Sequence, residues 1–174
     1  VSKQKSAVED GRPIKFKVRP SIVTNVLISG EKSGKDTIEK HDVLFSQLLE
    51  AAEVPQFLEP KDGDGELELW TKNGEARYTE LGALPLALKA SGAVKIGYAK
   101  GTAIEFTGTL KKLHIEARDD HRATLSGQVR VEPGNHHKML AQLKIERTCK
   151  LGFDGVVDGK HEPDDGDEQE KLPL

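Results

Sequence analysis

The sequence predicts an α+β fold: an antiparallel β-sheet or partly open β-barrel with one long helix and one short helix. Three observations point there. Apolar and polar residues alternate through most of the chain beyond residue 90, between tight-turn signals. One early segment, residues 36–53, carries apolar residues at helical spacing behind an acidic cap. The last twenty or so residues are acidic and too poor in apolar side chains to build a core.

The size fits one domain with extensions: 174 residues, 36% hydrophobic and 32% charged. The expected organisation is a flexible arm over residues 1–13, an α+β domain over 14–153 and a disordered acidic tail over 154–174.

Ile14, Phe16 and Val18 alternate with Lys15, Lys17 and Arg19, the period-two pattern of a half-buried strand. Pro20 bends or ends it, and residues 21–28 read as a second strand. Residues 30–35 read as a loop. Asp36 then caps a helix, with Glu39 three residues on as in a capping box. Ile38, Phe45, Leu48, Leu49 and Ala52 form its apolar stripe, widened by Val43 and Leu44. It should end near Glu53, because Val54 precedes Pro55 and is pushed out of the helical region. Residues 55–65 are a loop rich in proline and glycine.

Residues 66–71 and 75–79 form a hairpin about Asn73-Gly74, with Trp70 opposite Arg77 in a two-residue loop. Residues 81–90 read as the short helix. A β-meander follows. Val94, Ile96 and Tyr98 alternate. Ile104, Phe106 and Leu110 alternate, but Leu113, Ile115 and Ala117 lie on the other phase, so a bulge is expected near Lys111-Lys112. Turns fall at residues 119–121 and 133–135 around a strand carrying Leu125, Val129 and Val131. Met139, Ala141, Leu143, Ile145, Cys149 and Leu151 line one face of the last strand.

Several chemistries are disfavoured. No run approaches the roughly 18 apolar residues of a membrane helix, and residues 1–12 lack the apolar centre of a secretory signal. The single cysteine, Cys149, excludes an intramolecular disulfide and a multi-cysteine zinc site, and a reducing cytoplasmic setting is expected. The loop at residues 30–35 has three residues between its glycines where a phosphate-binding P-loop has four. Asp36 stands where that loop needs a hydroxyl. His121 and the pair His136-His137 flank a strand of about nine residues, roughly 30 Å apart at ~3.3 Å per residue, too far for one metal. Arg118-Asp-Asp-His-Arg122 resembles the Arg-xxx-Arg of PilZ-type cyclic-dinucleotide receptors, without their companion Asp/Asn-x-Ser-x-x-Gly. No nucleophile, catalytic residue, metal ligand set or cofactor site is expected.

Charge is the better lead. Residues 154–174 hold eight acids against two bases, a net charge of −6, while residues 1–153 carry +3. Lys15, Lys17 and Arg19 share a strand face. Lys144 and Lys150 share the polar face of the last strand, with Arg130 on its neighbour. With Trp70 and Arg77 these are the expected nucleic-acid contacts, cations on phosphates and a ring on a base. The acidic run ends in Lys171-Leu-Pro-Leu174. It resembles in outline the C-terminal tail of single-stranded DNA-binding proteins, without their terminal Pro-Phe. The resemblance implies partner docking through Asp164, Asp165, Asp167, Glu168, Leu172 and Leu174, and competition with DNA for a basic groove. The leading expectation is a non-enzymatic accessory protein binding single-stranded DNA, with a protein partner at its tail and no membrane. The alternatives are a structural or adaptor subunit of a viral or secretion assembly, forming homo-oligomers through strand edges, and a regulator whose tail mimics nucleic acid.

Overall fold

A computed structural model describes residues 11–58, 69–77, 80 and 82–158. Seven strands form one antiparallel sheet: β1 (Pro13–Ser33), β2 (Asp36–Leu49), β3 (Leu84–Pro85), β4 (Ala90–Gly97), β5 (Ile104–Ala117), β6 (Ala123–Val131) and β7 (Thr148–Val157). The order β5-β4-β7-β1-β2-β6 returns to β5 through a β5–β6 ladder, so six strands close into a barrel. The two residues of β3 lie on β5 beyond the end of β4. Among the described residues one α-helix, α1 (His137–Glu146), joins β6 to β7.

Closure follows from alternation. Ile14, Phe16, Val43, Phe45, Val94, Ile96, Leu110, Leu125, Val129, Leu151 and Phe153 all turn inward and are buried. Phe16 lies against Phe45, Phe57 and Phe153 at ring-centroid distances of 6.5, 6.3 and 6.2 Å. At one end, 3-10 turns at Ala51–Glu53 and Pro55–Phe57 bring Val54 and Phe57 over the core. At the other, α1 buries Leu140 and Leu143.

A six-stranded barrel is narrow, and its strands must coil tightly. Glycine permits this where backbones approach closest. A Cβ on Gly92 would stand 2.4 Å from the Asp154 carbonyl oxygen, and one on Gly155 2.2 Å from that of Ser91. The bulge expected at Lys111-Lys112 is present: the β5–β6 register shifts between Lys111 and His114, and Lys112 takes φ +53°. The turn at 119–121 is present as well, with Asp120 and His121 both at positive φ (65° and 59°), the requirement of a type I′ hairpin.

Several expectations are overturned. Residues 36–49 are strand β2, not the long helix. Their apolar positions satisfy both periods, and pairing with β1 and β6 decides between them. Asp36 is therefore no helix cap but the partner of Ser33 across a two-residue turn. Val54 is helical in backbone (φ −69°, ψ −42°) despite the proline after it, held in a 3-10 turn by its burial. Pro20 does not end β1, which runs on through register shifts at 16–19 and 23–25. The second helix is absent from 82–90, where Leu84, Leu86 and Leu88 alternate toward the core. Residues 137–146 form α1 instead of the start of the last strand, so Ile145 is 72% exposed. The hairpin pairs Trp70 with Ala76, not Arg77, because its loop holds one residue more. Residues 154–157, assigned to the tail, belong to β7, and Gly11 and Arg12 are hydrogen-bonded to Val157. Residues 1–10 and 159–174 lie outside the described residues. No helix among the described residues is long and apolar enough to cross a membrane.

Candidate functional site

On the barrel wall, outward residues of neighbouring strands form rows. One row runs Ser91, Thr109, Arg130, Asp42 across β4, β5, β6 and β2. Around it lies an open groove of about 350 Å³. Among the described residues its polar lining is Ser91, Thr107 and Thr109, with Lys40, Lys89, Lys111 and Arg130 as cations and Glu132 as an acid. Gly108 floors it. A Cβ there would stand 2.5 Å from the Arg130 carbonyl oxygen, so β5 needs glycine where it pairs with both neighbours at once.

The charge is organised. Arg130 forks onto Asp42, with Nε to Oδ1 at 2.8 Å and Nη2 to Oδ2 at 2.9 Å. Asp42 is nearly buried, so this pair anchors the guanidinium in the wall. The lysines come from three elements. Lys40 belongs to the β1–β2 hairpin, Lys89 precedes β4, and Lys111 begins the bulge in β5. Such a surface suits an anion with several oxygens, met by hydroxyl and ammonium donors together. Among the described residues no aromatic lines it.

Asp158, the last described residue, lies beside this groove. The Asp158 amide donates to the Lys89 carbonyl at 2.9 Å, and Ser91 Oγ donates to Asp158 Oδ1 at 2.7 Å. Lys89 and Ser91 both line the groove.

Of the residues expected to contact nucleic acid, only Arg130 lies here. Arg19 is 15% exposed and donates to both carboxylate oxygens of Glu53 at 2.6 and 2.9 Å. Burial alone would raise the Glu53 pKa. The hydrogen bonds from Arg19 and from the Glu50 and Lys17 amides, with the Arg19 charge, hold it below the ordinary carboxylate range. Lys15 faces Asp154 at 3.8 Å. The basic strand face of β1 is thus largely matched by acids. Lys150 donates to the Gly101 carbonyl at 2.7 Å, on the far side of the barrel from β6. Lys144 sits in the last turn of α1, so it shares no strand face with Lys150.

Trp70 is a strut, not an open platform. Its indole N–H donates to the Arg118 carbonyl at 2.6 Å and its ring lies 5.7 Å from His121. The half-buried Arg77 donates its amide to the Leu69 carbonyl. Asp164, Asp165, Asp167, Glu168, Leu172 and Leu174 fall outside the described residues. Cys149 is buried and its thiol is pushed up to about 12 by desolvation. Sequence reasoning missed Lys40, Lys89 and Lys111, which meet only once the barrel closes. The available signal was Thr107-x-Thr109-x-Lys111, a polar outward face.

Comparison with protein-family models, curated proteins and solved structures found no match to this chain.

Proposed function

We propose that this protein binds nucleic acid through its phosphate backbone, single-stranded DNA first among the candidates, as a non-enzymatic accessory factor. One observation carries the reading: among the described residues, Lys40, Lys89, Lys111 and Arg130 line one groove beside Thr107 and Thr109, with Glu132 in the lining, Asp42 paired to Arg130 and Asp158 at the edge. Lys89, Lys111 and Lys40 neutralise phosphates, and Thr107 and Thr109 donate hydrogen bonds to their oxygens. Contacts of this kind to the phosphate backbone are independent of base sequence. Residues 159–174, with their excess of acids, follow directly on Asp158 at the groove's rim. That proximity supports a tail that modulates occupancy and recruits a protein partner.

The test is a fluorescence-anisotropy titration of labelled single- and double-stranded DNA and RNA at two salt concentrations. The full chain, a 1–158 truncation and Lys89→Glu/Lys111→Glu are compared. The expected result is salt-sensitive binding, tighter for the truncation. The double variant should bind about tenfold or more weakly, with a salt slope lower by about two. Absence of binding by both full chain and truncation at low salt sinks the reading.

A further inference from the structure

The β1–β2 hairpin outruns the barrel. Its ladder continues from Ile28↔His41 out to Ser33↔Asp36, whereas β7 leaves β1 at Ile22 and β6 joins β2 only from His41. Among the described residues no strand pairs with the outer edge of β2 over 36–39. That edge borders an open cleft of about 340 Å³, walled by Ile38 and Glu39 on one side and Glu132, Pro133 and Gly134 on the other. A strand added to this edge would lie about 4.8 Å away.

The chemistry of this edge says which strand fits. The turn has two residues, with Gly34 at φ +70° in its first position, as a type II′ hairpin requires. Its closing pair, Ser33 and Asp36, is the hydrogen-bonded one. By alternation Ile38 and Lys40 also bond toward β1. Thr37 and Glu39 therefore turn their N–H and C=O groups to the outer edge. An antiparallel copy of the same edge, centred on Ile38, sets Thr37 of each chain against Glu39 of the other. Those are hydrogen-bonded pairs in the correct phase. On the outer face Ile38 then meets Ile38, and Asp36 meets Lys40 at both ends. The segment Asp36-Thr-Ile-Glu-Lys40 is thus complementary to itself in backbone phase, in charge and in its apolar centre.

We propose that β2 edges of two copies pair antiparallel about Ile38, making a two-fold dimer with a continuous sheet across the axis. The interface is short, so dimerisation is weak and concentration-dependent. Its contact Lys40 also lines the groove, but its test involves no nucleic acid, so the two readings fail separately.

Sedimentation velocity of the full chain from roughly 10 µM to 1 mM covers the affinity range of such an interface. The expected result is a monomer–dimer equilibrium. Asp36→Lys or Lys40→Asp alone places like charges across the axis and should weaken the dimer at least about tenfold. The double exchange, Asp36→Lys/Lys40→Asp, restores complementarity and should recover it. Thr37→Pro removes an outward N–H and leaves the β1 ladder its hydrogen bonds, so it should abolish dimerisation in a folded chain, checked by circular dichroism. A chain monomeric throughout overturns the proposal. So does a dimer indifferent to Asp36→Lys and Thr37→Pro, or one the double exchange fails to rescue.

Discussion

Arg19 shows how a residue's neighbours reverse its meaning. Read along the strand it is the third cation of a basic face. Folded, its guanidinium forks onto Glu53, which arrives from a turn 34 residues later. Because the Glu53 pKa is lowered on folding, its contribution is complete above the ordinary glutamate range, about pH 4–5. It is lost as pH falls through the lower folded value. Glu53→Gln should therefore destabilise the protein at pH 7 by roughly 1.5–3 kcal/mol and flatten the loss of stability below about pH 5. Urea unfolding of both proteins across pH 3–8 checks this; parallel curves would refute it. Cys149 makes a second prediction at this scale. A buried thiol raised to about 12 should resist alkylation at pH 8 and react only as fast as the barrel opens, which labelling in increasing urea measures.

At the scale of elements, the strands that read correctly carry one unambiguous period. β5 even disclosed its bulge, because Leu110 and Leu113 cannot share a face without one. β2 did not. Apolar residues at 43, 44, 45, 48 and 49 suit a helix stripe as well as a strand with Leu44 and Leu48 outward. The converse misreading befell 137–146, where Met139, Leu143 and Ile145 fit period two. The helix instead buries Leu140 and Leu143 and ends at Arg147, held at φ 67° without a glycine. Glycine placement is the most testable feature here. Gly92→Ala pushes a methyl into the Asp154–Gly155 backbone, which cannot yield, and should cost roughly 1–3 kcal/mol. Gly34→Ala meets no atom within 4 Å but must hold positive φ. It should loosen the ribbon while leaving the barrel's thermal midpoint nearly unchanged. Thermal unfolding of the two variants separates crowding from backbone strain.

For the molecule as a whole, closure creates the surfaces that matter. Thr109 and Arg130 become neighbours through the β5–β6 ladder, and Lys40 reaches the same groove from the ribbon. The end turn is clamped likewise. Trp70 holds the Arg118 carbonyl and the Asp119 carboxylate accepts from the Ala76 amide at 3.1 Å. Trp70→Phe should keep the packing and lose the hydrogen bond, lowering stability by about 0.5–1.5 kcal/mol. Nucleic-acid affinity should be untouched, since Trp70 does not line the groove. Reduced affinity in that variant would place the binding surface at the barrel's end instead.

By itself the sequence determined the antiparallel class, the meander of β4, β5 and β6 with its bulge and the turn at 119–121, the inert thiol and the charge contrast between body and C-terminal segment. These are local: each follows from a period of two, a turn dipeptide or a count of charges within a short span. Only the tertiary structure decided that residues 36–49 are a strand, that the barrel closes, and which cations share a groove. Those depend on partners far apart in the chain, His41 on Val131, Gly108 on both Gly92 and Val131, Arg130 on Asp42. No periodicity within one segment encodes such a partner.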